Sequence, residues 1–350
     1  MQIIVTGGAG FIGSNIVNHL FQQGVNKIIV VDDLEDGNKF INIKGVPIYD
    51  FCDKNEFIDK FKQKYWGRID AVFHQGACTS TVESNGNFML NNNYQYSKYI
   101  LEICQNHKIP LIYASSASVY GLANLCLEDN VNPNPKNKKS HQPYPQTGPI
   151  NIYGYSKWLF DQHFQHHLLT YRKKSIPVVG LRYFNVYGER EQHKGRMASV
   201  VFHLHQQLVN KKPMKLFGEY DGYHAGEQKR DFIYVGDVVA VNSYFLDRIL
   251  AGKSISGIFN CGCGKAREFN EIARALYQNF SKSKSKLTAT DLVSKKKLAY
   301  IPFPDDLKGK YQSYTQADLN KLRSTGYHQE FTNLDQGIAK YWKWLEMVNG

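Results

Sequence analysis

Residues 1–33 read MQIIVTGGAGFIGSNIVNHLFQQGVNKIIVVDD, and this stretch decides the fold. Ile3, Ile4 and Val5 form an apolar, β-branched run without polar alternation, the pattern of a strand buried on both faces of a parallel sheet. Thr6-Gly7-Gly8-Ala9-Gly10 breaks that run, and apolar residues then recur at helical spacing at Ile12, Ile16 and Leu20. Gly7, Gly10 and Gly13 therefore lie in a strand–turn–helix context. A helix N-terminus offers free N–H groups and the positive end of a dipole, and glycine lets the backbone approach a pyrophosphate closely. A second apolar run, Lys27 to Val31, ends in Asp32 and Asp33, at the spacing where an acid meets a ribose hydroxyl. The context favours dinucleotide binding over an ordinary tight turn.

The chain has 350 residues, 42% of them hydrophobic, enough for a dinucleotide-binding domain and a second domain. No apolar run approaches the roughly 20 residues needed to span a membrane. The start enters a strand without a basic, cleavable leader, so no secretory signal and no membrane association are expected. Six cysteines are scattered; Cys261-Gly262-Cys263 is the one close pair and lacks partners at metal-ligand spacing. No metal is expected, and reduced thiols fit a cytoplasmic location. The formal net charge is +12. Its lysines are spread over loops and helix ends such as Lys136–Lys139, Arg172–Lys174, Lys211-Lys212 and Lys295–Lys297. That diffuse pattern argues against nucleic acid and fits phosphorylated small molecules.

Strand and helix signals continue to alternate. Val46–Tyr49 reads as a third strand, Asp53–Lys64 as an amphipathic helix, and Ala71–His74 as a strand running into Gln75-Gly76-Ala77-Cys78-Thr79. Tyr94–Asn106 reads as a helix, and Leu111–Ala114 as a strand ending in Ser115-Ser116. Small residues at strand ends are where open α/β sheets bind ligands. The repeated βα units predict an α/β fold, a Rossmann doubly wound parallel sheet with a smaller C-terminal α/β domain. The expected dinucleotide domain is 1–184 with a later return at about 231–260; residues 185–230 and 261–350 form the second. Leu127–Pro149, with five prolines and no period, reads as a surface excursion.

A helix from Ile152 to Tyr171 carries Tyr153 and Lys157 four residues apart, on one face. Such a pair is commonly just an exposed helical couple. Beside a nucleotide turn and the Ser116 strand end, it supplies a proton acceptor, an activating ammonium expected to lower the phenol's pKa, and an orienting hydroxyl.

Four segments, TGGAGFIG (6–13), YASSASVYG (113–121), YGYSK (153–157) and LRYFNVYG (181–188), resemble the extended short-chain dehydrogenases/reductases that act on sugar nucleotides, over nearly the whole chain. The resemblance implies hydride transfer at a carbinol carbon, with Ser116, Tyr153 and Lys157 catalytic. Residues 184–200, 91–98, 229–238, 300–312 and 315–319 further resemble the branch that epimerises an ADP-heptose at C6″ for the lipopolysaccharide core. That likeness implies bound NADP, a homopentamer, a transient ketone and a second base at Lys194. It places the cofactor on Gly7, Gly10, Phe11, Ile12, Gly13, Asp32, Asp33, Lys39, Lys54, Gln75, Gly76, Ala77, Cys78, Thr79, Asn92, Tyr153, Lys157, Val186 and Lys194. It places substrate on Ser116, Asn185, Arg196, His203, Phe217, Gly218, Glu219, Tyr220, Arg230 and Tyr311. Read without the likeness, Lys194 is a solvated loop lysine, Arg230 an ion-pair partner of Asp231, and His203 a surface or packing residue.

The family commonly has Asp-Asn where this chain has Asp32-Asp33. An acid there favours an unphosphorylated ribose, so Lys39 and Lys54 must offset Asp33 for NADP to bind, and NAD is the second choice. Arg196 replaces a small serine. The 127–149, 219–228 and 281–297 stretches exceed the family pattern and read as surface loops. The alternatives are a nucleoside-diphosphate-sugar 4-epimerase, a non-catalytic NADP-binding protein, and a 4,6-dehydratase, the last disfavoured because Ala117-Ser118 stand where that group has Asp-Glu.

Overall fold

The computed structural model describes residues 1–122, 126–129, 148–171, 174–282 and 287–349. Lys136–Lys139, Arg172-Lys173 and most of the 127–149 stretch lie outside the described residues.

The first half alternates strand and helix: β1 (Gln2–Thr6), α1 (Phe11–Gln22), β2 (Lys27–Asp32), β3 (Asp50–Asp53), α2 (Lys54–Lys62), β4 (Ala71–His74), α3 (Gly86–Met89), α4 (Tyr96–His107) and β5 (Leu111–Ser116). A π-helical segment, Leu90–Gln95, joins α3 to α4. After β6 (Cys126–Leu127) come α5 (Ile152–Tyr171), β7 (Val178–Tyr183), β8 (Asn185–Tyr187), α6 (Val200–Val209), β9 (Met214–Phe217), β10 (Lys229–Tyr234), α7 (Val235–Leu250), β11 (Gly257–Cys261) and β12 (Ala266–Glu268). The chain ends with α8 (Phe269–Ser281), α9 (Ala289–Ser294), β13 (Leu298–Ile301), β14 (Gln316–Ala317), α10 (Asn320–Ser324) and α11 (Leu334–Asn349).

Seven strands form one parallel sheet in the order β11-β7-β5-β4-β1-β2-β3, the Rossmann-type arrangement the sequence predicts. Successive side chains of a strand face opposite ways. Ile3 and Val5 accordingly join a core with Val17, Val238 and Phe245 of α1 and α7. Ile4 joins a core with Phe57, Ile100, Phe160 and Phe164 of α2, α4 and α5. The strand order reverses between β1 and β4, so a crevice opens at their carboxyl ends. A third core packs α6, α8 and α11 against β9 and β10 through Leu204, Leu216, Ile272, Leu276, Ile338 and Leu345. Strands β8, β10 and β12 form a small sheet beside it.

Three local expectations are corrected. The third strand is Asp50–Asp53, not Val46–Tyr49; Pro47 has no N–H to give a ladder, and β2 pairs instead from Ile29 with Asp50. The third expected helix, Tyr94–Asn106, is present as α4, but the helical stretch starts earlier, at Gly86, with Asn85 capping it by accepting from Phe88 N–H. The 281–297 stretch is not wholly a surface loop: Thr288 and Asp291 form a capping box that starts α9, and Leu292 is fully buried.

Candidate active site

The glycine turn is shaped by contact. Gly7 has a φ of 65°, and a Cβ there would stand 2.6 Å from the Gly76 nitrogen. A Cβ on Gly13 would collide with the Gly7 carbonyl oxygen. Gly10 caps α1 with no side-chain hydrogen bond to its first N–H groups. Those donors remain for an anion.

A cavity of about 270 Å³ at the ends of β1 and β2 is lined by Gly7, Asp32, Asp33, Lys39, Lys54, Gly76, Ala77, Cys78 and Asn92. Asp32 braces the chain: its Oδ2 accepts from Ala9 N–H at 2.8 Å, and its Oδ1 accepts from Asp33 N–H and from Lys39 Nζ at 2.8 Å. Asp33 pairs with Lys54 at 2.5 Å. Burial pulls the Asp33 carboxyl upward, but the bonds from Lys54 and the Glu35 N–H outweigh it and leave it below its ordinary value.

A second cavity of about 450 Å³ shares Ala77 with the first and brings together Phe11, Ile12, Gln75, Thr79, Ser116, Tyr153, Lys157, Asn185, Val186, Lys194, Arg230 and Tyr311. Among the described residues no carboxylate lines it, while three cationic side chains do; such a surface suits a diphosphate. Ser116 hydrogen-bonds Tyr153. Tyr153 is nevertheless pushed above its ordinary value, because burial outweighs that bond. This corrects the expectation of a phenol lowered by Lys157: the Lys157 Nζ donates to the Ala114 carbonyl at 2.8 Å, and burial brings the amine down to about 8 against the opposing charge of Asp161.

Lys194 is not a solvated loop residue. It sits in a 3₁₀ segment, Gln192–Met197, with its Nζ 5.5 Å from the Phe11 ring centroid. Burial pushes its amine down, with Glu191 working against that. Arg196, which the likeness places on the substrate, is exposed and plays no part in the shift. Glu191, fully buried, anchors the segment by accepting from Gly188 N–H, Ser199 N–H and the Ser199 hydroxyl. Arg230 is buried, lies 4.6 Å over the Tyr311 ring and has an Nη1 with no hydrogen-bond partner among the described residues. Its neighbour Asp231 instead accepts from the N–H groups of Cys263, Gly264 and Ala317, so the expected Arg230–Asp231 pair is absent among the described residues.

Not every expected residue reaches a cavity. Gly10 and Gly13 shape the turn but line neither. Arg196 and His203 lie outside, with His203 Nε2 at 3.3 Å from the Arg196 carbonyl. Tyr220 stacks on Phe303 at 3.8 Å, and Phe217 packs on Tyr311 at 6.0 Å, both behind that ring. Glu219 is exposed beside His224, and Gly218 bonds Ile301. Asn93 was missed. Its Oδ1 accepts from Cys78 N–H at 2.8 Å, and its Nδ2 donates to the Cys78 carbonyl and to Ser156 Oγ, tying the cofactor-side loop to the helix of Tyr153. The run Asn91–Asn93 was its signal, but only the π turn turns Asn93 inward.

A doubly wound sheet with a glycine turn at its reversal point, and a serine, tyrosine and lysine over its strand ends, define an extended short-chain dehydrogenase/reductase-like fold. The chain belongs to the NAD dependent epimerase/dehydratase family, whose model matches residues 3–262. It is similar to ADP-L-glycero-D-manno-heptose-6-epimerase of Helicobacter pylori, at 29% identity over 99% of this chain and 96% of that one, with a TM-score of 0.75. It is also similar to UDP-glucose 4-epimerase of Thermus thermophilus, solved with NAD, at 26% identity over 99% of each chain and a TM-score of 0.71. The fold is shared with UDP-glucose 4-epimerase of Thermotoga maritima, at 24% identity over 100% of each chain and a TM-score of 0.76. Among the described residues no helix is long and apolar enough to cross a membrane.

Proposed function

We propose that the protein is an ADP-heptose 6-epimerase, interconverting the D-glycero-D-manno and L-glycero-D-manno forms at C6″ through a transient ketone with bound NADP, as a cytoplasmic homo-oligomer. The observation that carries this reading is that Tyr153 and Lys194 line one cavity in which, among the described residues, no carboxylate stands. Inverting a carbinol requires its oxygen to be served in two opposite orientations, and two proton-handling groups do that where one fixed base cannot.

A dinucleotide fits the residues present: the glycine turn leaves no room for a Cβ, α1 has free N–H donors, and acids and lysines stand at the ribose end. Gly7, Phe11, Ile12, Asp33, Lys39, Lys54 and Asn92 would hold it, with Lys39 and Lys54 on a 2′-phosphate and Asp33 favouring NAD. When bound it supplies reversible two-electron redox chemistry. Tyr153, in its ionised form, takes the hydroxyl proton in one orientation of the sugar, with Ser116 bonded to the same oxygen. Lys157 keeps positive charge beside that site. Lys194 handles the proton in the other orientation, its amine made more basic-form-rich by burial. Arg230, with a free Nη1, binds the diphosphate, and Asn185 and Tyr311 flank the sugar nucleotide.

Incubating the purified protein with each ADP-heptose epimer and following the mixture by NMR tests the assignment. Interconversion is expected; turnover of UDP-glucose to UDP-galactose instead would establish the 4-epimerase reading.

A further inference from the structure

Behind the strand that carries Ser116 lies a polar cluster that the chemistry above does not use. Tyr153, Lys157 and Asp161 follow one another at four-residue intervals and share a face of α5. Asp161 and Arg182 are 0% and 1% exposed and pair at 2.9 Å. Asp161 Oδ1 accepts from the Tyr113 hydroxyl, and Oδ2 from the Ser115 hydroxyl and Arg182 Nε, at 3.0, 3.0 and 2.9 Å. Arg182 Nη1 donates to the Tyr120 hydroxyl at 3.0 Å, which donates to Asn260 Oδ1 at 2.7 Å. Between the two residues that Asp161 holds, the Ala114 carbonyl accepts from Lys157 Nζ. Three successive residues of β5 are thus fastened to α5, and the next one, Ser116, bonds Tyr153.

Stability does not account for this arrangement. Desolvating two charges offsets most of their attraction, and an apolar pair of similar volume is often as stable or more so. Arg182 Nη2 also lacks a partner among the described residues, a further cost.

We propose that Asp161 and Arg182 are a positioning pair for the proton-handling site, holding Ser116 and Lys157 in register and balancing the charge behind the Lys157 amine. The proposal rests on Tyr153 and Lys157 being that site. The titratable groups packed around Lys157 are Tyr153 and Asp161 on α5, Tyr113 on β5, His74 on β4, and Arg182 and Tyr183 on β7; Lys194 and Arg230 stand across the cavity. Phenols are uncharged at neutral pH, and His74 is neutral because burial brings it to about 3. Asp161 is therefore the fixed charge that acts on the amine, Arg182 is the cation paired with it, and Lys321 and Asp129 face that pair from farther off.

The test reads the protonation of Lys157 directly, by ¹³C NMR of its Cε in lysine-labelled protein as purified, the resonance being assigned by its loss in Lys157→Met. The wild-type midpoint is expected near 8. Asp161→Asn should lower the proton affinity about tenfold, as loss of a near opposite charge does, and Arg182→Met should raise it. Where a single variant fails to fold by circular dichroism, the double Asp161→Asn/Arg182→Met leaves no unpaired charge in the core and carries the test. Its midpoint should fall, because Asp161 is the charge that acts most on Lys157. An unmoved midpoint in the folded double variant, or shifts of the same sign in both singles, overturns the proposal. Because no sugar nucleotide is used, a failure to turn over ADP-heptose leaves this result readable.

Discussion

Two pairs of lysines line the two ends of one cleft, and their surroundings differ in kind. At the end beside β1 and β2, Lys39 and Lys54 each meet a carboxylate, Asp32 and Asp33. At the other end Lys157 and Lys194 line a cavity that has no carboxylate among the described residues, and burial pushes both amines down. A lysine held by an acid stays a fixed cation and recognises an anion; a lysine stripped of water and of direct acid partners can exchange its proton near neutral pH. Under the function proposed above, lysine binds an anion at one end and, at Lys194, handles a proton at the other.

The strongest way to break this contrast is at the proton-handling end. Tyr153→Phe and Lys194→Met should each lower net epimerisation by at least ~10³-fold, roughly 4 kcal/mol of barrier. Single-turnover nicotinamide absorbance, with each epimer offered separately, should show opposite epimer preferences in the two variants. If Lys194→Met slows both epimers equally while Tyr153→Phe blocks both, Lys194 is a binding residue.

The second effect is on stability. Lys157 titrates near 8 when folded against an ordinary 10.5, so between those values the unfolded chain binds more protons and stability rises with pH. The folding free energy of wild type relative to Lys157→Met should therefore improve by at most roughly 1.4 kcal/mol per pH unit from pH 8 to 10.5, measured by urea denaturation. A flat difference across that window contradicts burial as the cause.

At the ribose end, Lys39→Ala and Lys54→Ala should each weaken NADP binding more than NAD binding, by about 1–3 kcal/mol for a charge-assisted contact. An unchanged affinity ratio by calorimetry removes both from the 2′-phosphate. The smallest effect is expected from Asp33→Asn, which should move the ratio toward NADP by about tenfold, the scale of a single charged hydrogen bond.

The unit β1–α1–β2 was legible because its signals are local: a two-sided apolar run, a glycine turn, a helical period and a terminal acid. Tyr153 and Lys157 were legible as a pair for the same reason. Less legible was what lies between distant segments. Val46–Tyr49 has strand composition, yet registration against β2 starts at Asp50. Asn93 faces inward only because the helix widens at Leu90–Gln95. The partner of Lys157 is a main-chain carbonyl on β5, which no residue type announces. Leu292 looked like part of a charged excursion until α9 placed it in the third core.

Strand β7 ends at Tyr183 and β8 begins at Asn185, so one residue, Phe184, joins the seven-stranded sheet to the smaller one. The chain passes back where β10 runs straight into α7, and over again between Cys261 of β11 and Ala266 of β12. For protein engineering this means that the side built on the smaller sheet is not a cassette. Leu322 and Tyr327 lie back in the first core before α11 returns to the third, so a chimaera must exchange three separate stretches of sequence at once, with five splice points, and the first of them has a single residue in which to fall.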